Sequence, residues 1–202
     1  MATGYSPNLV TDGLKILLDP KNTKSYPGSG TTWYDLSGNG HHATFSATPS
    51  ITNGVWSLDG ASDYCTITND NTEFDDWIDE QTITIWMYHT YTNGRRNPWD
   101  QAYGGFGTWT HEQGNDINNY YGTAGSNAQP YTSRNSGTTT RSKWNCMSTV
   151  RNTSTHTWYN GTSSSSGANP YGSVGDTNAN IRIGLGYAGY WQGDIGLSLI
   201  HI

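Results

Sequence analysis

The chain has 202 residues, a net charge of −6 and 13% charged residues, with nine Trp and fourteen Tyr against three Phe. That length fits one domain with a sizeable core, and a 13% aromatic load separates it from disordered chains of equally low hydrophobic content. The acidic balance, with Arg95-Arg96 as its basic doublet, lacks the basic stripe that nucleic acid requires, so no nucleic-acid partner is expected.

Helix formers are scarce and Gly, Ser, Thr and Asn abundant, which favours short strands joined by polar turns. No window approaches the ~18 apolar residues of a membrane span, so no membrane insertion is expected. The opening "MATGYSPNLVTDG" has neither the charged region nor the apolar core of a secretory signal. Residues 1–9 are read as a short N-terminal extension and 10–202 as a single domain.

In chain order, "LKILLD" (14–19) is an apolar run ended by Pro20. "VWSLDG" (55–60) alternates and stops at Asp-Gly, and "DYCTIT" (63–68) resumes the alternation. Segment 73–81, "EFDDWIDEQ", reads as an acidic helix of at most two turns. "TITIWMYHTY" (82–91) is the longest β-rich run, with Asn93-Gly94 as its turn. "WNCMSTVRN" and "THTWYNG" form a hairpin across Asn152-Thr153-Ser154, and the serine-rich tract 161–173 reads as a flexible surface loop. "NIRIGLG" (180–186) and "GDIGLSLIHI" (193–202) complete the strands. Many short strands between Gly/Asn turns predict an all-β, two-sheet antiparallel sandwich or a barrel. Cys65 and Cys146 lie in strand-like runs, where free cysteines pack as small hydrophobes.

The segments "TDGLKILLD…SYPGSGTTWYDLSGNGHHAT", "LDGASDYCTI", "TITIW", "WYNG" and "IRIGLGYAGYWQGDIG" occur in the order of a laminin-G-like domain. More narrowly, the chain resembles the concanavalin A-like jelly-roll domains of structural and tail proteins of tailed phages. The resemblance implies two curved antiparallel sheets, the first strand paired with the last, and a non-enzymatic binding module in a virion or tail. Its partners would be a host-surface glycan or, in a purely structural decoration domain, other virion proteins. Family members continue past the last strand, whereas this sequence ends at "LSLIHI". Those six residues also read like a translated sequencing adapter, so a domain truncated at its C-terminus is expected.

Four candidate sites follow. "GTTWYDLSGNGHH" (30–42) invites three readings: ligand loop, metal site or turn. Asp35 and Ser37 suit backbone bonding, glycines supply positive φ, and adjacent His41 and His42 point to opposite faces of a strand, which disfavours a shared metal. A turn is expected, with Trp33 plugging one end of the core. Asp59 and Asp63, four residues apart around a turn, are weak candidate ligands for a structural calcium; no cofactor is otherwise implied.

The insertion 97–129 is longer and more aromatic than a minimal family loop, and its loop-rich stretch 99–122 is the best candidate ligand surface. Trp109, His111, Gln113, Asn115, Asn118, Tyr120 and Tyr121 combine flat rings with polar side chains suited to sugars. Tyr187, Tyr190 and Trp191 form a second such cluster. A glycoside hydrolase would need two carboxylates facing one cleft, and segment 73–80 completes no Glu-x-Asp-x-Glu pattern, so no catalytic residue is assigned. In the last strand, alternation predicts Ile195, Leu197 and Leu199 facing the core.

Overall fold

The computed structural model describes residues 10–69, 74, 79–92, 94–112 and 115–201. Among the described residues eighteen strands succeed one another: β1 (Leu14–Leu18), β2 (Thr32–Trp33), β3 (Ala43–Phe45), β4 (Ser50–Thr52), β5 (Val55–Asp59), β6 (Cys65–Ile67) and β7 (Gln81–His89). Then come β8 (Arg96–Ala102), β9 (Gly107–His111), β10 (Asp116–Gly122), β11 (Tyr131–Thr138), β12 (Trp144–Arg151) and β13 (Thr155–Asn160). The chain closes with β14 (Ser163–Ala168), β15 (Ile181–Ile183), β16 (Leu185–Gly186), β17 (Gly189–Tyr190) and β18 (Gln192–His201). No helix occurs among the described residues. Most of the acidic segment read as a short helix lies outside them, and its end, Gln81, begins β7.

The strands form two sheets. One has the order β14-β13-β12-β7-β18-β5-β4, with β1 also on β18. The other runs β11-β10-β9-β8-β15-β6-β3-β2, and the small β16–β17 hairpin joins it at β8. The fold is an all-β, two-sheet antiparallel sandwich. Alternation explains it: in β7 the residues Ile83, Ile85 and Met87 are fully buried while Trp86 between them is exposed. Between the sheets lies one core cluster rich in indoles, with Trp33, Trp56, Trp99, Trp109, Trp158 and Trp191 all almost solvent-free. Each removes about 150–250 Å² from water, an upper estimate of roughly 4–6 kcal/mol of transfer free energy. Polar loops at the surface are affordable because the rings concentrate apolar area in few residues.

β1 pairs antiparallel with β18, as the resemblance implies. The inward set of β18 is not the expected one. Its register against β7 shifts between Ile195 and Ser198, so Ile195, Ser198 and Ile200 are buried while Leu197 and Leu199 are only half-buried. A bulge offsets the period-2 alternation by one, and every later side chain changes face.

Two further expectations fail. The serine tract is not a loop: residues 163–168 form β14, the edge strand on β13. Hydroxyls hold it, with Thr157 and Ser166 bonded at 2.8 Å and Arg134 Nη2 donating to Ser165 Oγ at 3.2 Å. A strand without apolar alternation suits an exposed edge, where it discourages further pairing. The insertion 97–129 is likewise mostly sheet, supplying β8, β9 and β10.

Candidate functional site

The Gly30–His42 stretch builds a corner. Asp35 Oδ1 accepts the amide N–H groups of Leu17 (2.8 Å) and Ser37 (2.9 Å), while Oδ2 accepts from Ser37 Oγ (2.6 Å) and His41 N–H (3.2 Å). Asn39 Nδ2 donates to Leu14 O at 2.8 Å, and Gly38 and Gly40 take φ of 95° and 85°. Trp33 stacks on Phe45 (5.3 Å, 15°) and meets Trp56 edge-on (5.7 Å, 80°), filling the core end. His41 is buried against Phe74, whereas His42 is exposed and accepts Asp35 N–H through Nδ1. The two imidazoles part company just ahead of β3, one buried and one exposed.

Asp59 also closes on its own backbone. Its Oδ1 accepts N–H groups of Ala61 (2.8 Å), Ser62 (2.8 Å) and Asp63 (3.2 Å), and Oδ2 accepts from Ser62 Oγ (2.9 Å). Asp59 N–H in turn donates to Asp63 Oδ2 at 3.0 Å. The bonds from Ser62 and Ala61 hold its carboxyl well below the usual carboxylate range. No group of three or more His, Cys, Asp or Glu able to hold a metal occurs among the described residues.

The aromatic insertion divides by strand face. In β9, Trp109 and His111 point inward: Trp109 packs on Trp158 (4.7 Å) and His111 on His89 (4.4 Å). Tyr121 of β10 lies edge-on to His156 (4.9 Å), and Trp191 lies edge-on to Tyr91 (5.6 Å, 90°). These four, expected at a ligand surface, are at most 2% exposed and belong to the core. On β9 and β10 the pleat of the strand sends Trp109, His111 and Tyr121 to the core face. Asn115 makes a turn at φ 71°, its carbonyl accepting from Thr139 N–H and Oγ1 at 2.7 Å. Asn118 is half-buried on β10. Tyr190 leans on Tyr64 (6.2 Å), and its carbonyl accepts from Arg96 Nη1. Gln113 lies outside the described residues.

The opposite face of the same strands makes a cup of about 90 Å³. Its floor is Thr108 and Thr110 of β9. Thr108 Oγ1 donates to Asp100 Oδ1 (2.6 Å) and so keeps acceptor lone pairs. Thr110 Oγ1 accepts from Asn97 Nδ2 (3.0 Å) and keeps its proton to donate. Four tyrosines form the wall. Tyr103 meets Tyr131 and Tyr187 edge-on, both at 5.0 Å, and Tyr120 meets Tyr131 at 6.0 Å.

Polar contacts fix this wall. Arg95 bonds Glu112 twice, Nε to Oε2 at 2.9 Å and Nη2 to Oε1 at 3.1 Å, and Tyr120 OH donates to the same Oε1 at 2.9 Å. Burial and the bond to Glu112 push the Tyr120 phenol up, keeping it a neutral donor. Tyr103 OH donates to Asn127 O at 2.6 Å. Asn97 Oδ1 accepts the N–H groups of Ala188 (2.6 Å) and Gly189 (3.1 Å), which seats the β16–β17 turn carrying Tyr187 on the sheet. The approach is close enough that a Cβ on Gly186 would lie 2.6 Å from Asn97 Cγ. Sequence reasoning reached Tyr120 and Tyr187 but missed Arg95, Tyr103, Thr108, Thr110 and Tyr131.

No family model matches the chain, and no curated protein matches it by sequence. Its fold is similar to the binding domain of botulinum neurotoxin DC in complex with SialylT: TM-score 0.70, 11% identity, 96% of this chain and 48% of that one. It is also similar to domain 4 of AbnA, a GH43 extracellular arabinanase from Geobacillus stearothermophilus, in complex with arabinotriose: TM-score 0.68, 12% identity, 93% and 91% covered. A third similar structure is Trypanosoma rangeli sialidase in complex with sialic acid: TM-score 0.65, 10% identity, 94% and 30% covered. The chain thus spans about half of the toxin domain and under a third of the sialidase. At these identities the likeness establishes the sandwich.

Proposed function

We propose that this protein is a non-enzymatic carbohydrate-recognition module and that the tyrosine cup binds one sugar ring. The observation that carries this reading is the cup itself. Four ring systems surround a floor of two threonine hydroxyls, one with acceptor capacity and one with a donor proton left. A sugar presents the matching pair of surfaces, apolar C–H faces and hydroxyls that both donate and accept. The volume, about 90 Å³, corresponds to roughly six to nine water positions, which suits a ring and not a chain. That domain 4 of AbnA, a similar sandwich of which 91% is covered, was solved with arabinotriose supports the same reading.

The residues lining the cup include no carboxylate, and Glu112 beside it is committed to Arg95 and Tyr120. This favours binding over hydrolysis, which needs two carboxyl groups across the bond. Recognition in this reading requires no cofactor, and a calcium ion at Asp59 would have to displace the loop's own amides. The setting, a structural or tail protein on a phage virion that meets host-surface glycans, rests on the sequence resemblance. Purely structural contact with other virion proteins is the alternative. A glycan array decides between them: reproducible sugar binding lost on Tyr187→Ala supports the module, and a blank array with retained binding to a purified virion neighbour would replace it with a decoration domain.

A further inference from the structure

Trp86 and Trp144 are 43% and 42% exposed in a chain that buries six other indoles almost completely. They stand on β7 and β12, on the outer face of the sheet opposite the cup. A Cβ built on Gly196 would lie 3.4 Å from Trp86 Cβ and 3.6 Å from Trp144 Cζ3, so both side chains converge on the same strip of bare backbone. Tyr88 flanks Trp144 at 5.8 Å.

Beside Gly196 the surface drops into a groove of about 500 Å³. Its cause is topological. β5 pairs with β18 up to Ile195 and β1 pairs with it from Ser198, so the two neighbours share one edge and part between those residues. The far wall carries Asp19, Lys21 and Asn53.

We propose that this groove is a second carbohydrate site, for an uncharged oligosaccharide of two or more rings. One wall offers indole surface for stacking, and the other offers hydroxyl partners from one acid, one base and one amide. Equal and opposite charges there select no ion. The groove volume falls in the range of ordinary ligand sites, about 300–1,000 Å³, and exceeds that of the cup several-fold. A stable protein partner is disfavoured by area. Trp86, Trp144 and Tyr159, each just over 40% exposed, present roughly 200–300 Å² together at about 150–250 Å² per aromatic side chain. A standard interface needs about 800 Å² per partner. With sites on opposite sheets, one molecule would bridge two glycan chains and gain avidity on a multivalent surface.

The test is acrylamide quenching of tryptophan fluorescence with cello-, malto-, xylo- and arabino-hexaose. Among the described residues no Trp lines the tyrosine cup, so a sugar held there leaves quenching unchanged and the two sites are read separately. The expected result is that one hexaose protects the exposed indoles, that Trp86→Ala/Trp144→Ala weakens its binding at least tenfold by calorimetry, and that Tyr187→Ala leaves the protection intact. Asn53→Gly, at a φ of 54° that glycine adopts freely, should weaken the same binding roughly tenfold without touching the indoles. Protection by none of the four hexaoses, or binding that survives the double substitution undiminished, overturns the proposal. So does a dimer in sedimentation that the double substitution dissolves, which would make the face a self-interface.

Discussion

His89 and His111 share one hydroxyl: their ring centroids are 4.4 Å apart, and each Nε2 bonds Thr139 Oγ1, at 3.1 and 3.3 Å. Thr139 spends its single proton on Asn115 O (2.7 Å), so its lone pairs must accept from both imidazoles. Both rings therefore carry a proton on Nε2, and burial, which pushes both pKa values down, favours the neutral form of each.

Acid stability follows from this arrangement. Burial pushes His89 down and His111 down to about 3, the latter further lowered by His89 and opposed by Asp116. Arg141 adds to the effect at His89. His156, buried beside Arg151 and Arg134, is also pushed down to about 3. Each folded pKa lies below its unfolded value of about 6.5, so the unfolded chain binds more protons and stability falls as pH drops through the window between them. The slope is at most about 1.4 kcal/mol per pH unit for each histidine. Thermal melts should be flat between about pH 7 and pH 8 and decline progressively from about pH 6 downward. A melting temperature unchanged between pH 7 and pH 4 would contradict this.

Trp109→Ala should destabilise the fold by about 3–5 kcal/mol, because the indole is fully buried against Trp158. Urea unfolding checks it. A variant with parental stability would mean that the indole is not part of the core.

The bulge in β18 makes a paired prediction. Ile200→Ala should cost about 2–5 kcal/mol, since Ile200 is fully buried, whereas Leu199→Ala should cost clearly less from its half-buried position. The reverse order in denaturant midpoints would restore the unshifted register.

Asp35→Ala removes the acceptor for Leu17, Ser37 and His41 amides at once. Leaving such donors unmatched costs about 1–3 kcal/mol per group where they stay buried. The midpoint should fall by at least 2 kcal/mol in stability, and a neutral effect would show that water replaces the carboxylate freely.

How far the sequence discloses the molecule depends on how local each feature is. The turn within the Asp35 corner and the β12–β13 hairpin were legible because their bonds run between near neighbours, such as Ser37 N–H to Asp35 and Asn152 Oδ1 accepting from Ser154 and Thr155 N–H, whereas the corner's bonds back to Leu17 and Leu14 were not. β1 and β7 were legible because one face of each is apolar. β14 was not, because serine hydroxyls pair across strands without any hydrophobic period. Nor was the slip in β18, since its shift exists only relative to β7. The tyrosine cup was the least legible part. Tyr103, Tyr120, Tyr131 and Tyr187 come from four separate segments, and only the β8–β11 register and the Asn97 clamp on the β16–β17 turn bring them together.

The most direct test of sugar recognition at the cup is calorimetric titration of the best array glycan into the parent, Tyr187→Ala and Tyr103→Phe. Tyr187 is 66% exposed, so its truncation should leave stability nearly unchanged while weakening affinity at least tenfold, about 1.4 kcal/mol. Tyr103→Phe keeps the ring and loses only the bond to Asn127 O, so it should bind within about threefold of the parent, less than 1 kcal/mol. Equal affinity in the parent and Tyr187→Ala, with both folded, would contradict the assignment of the cup.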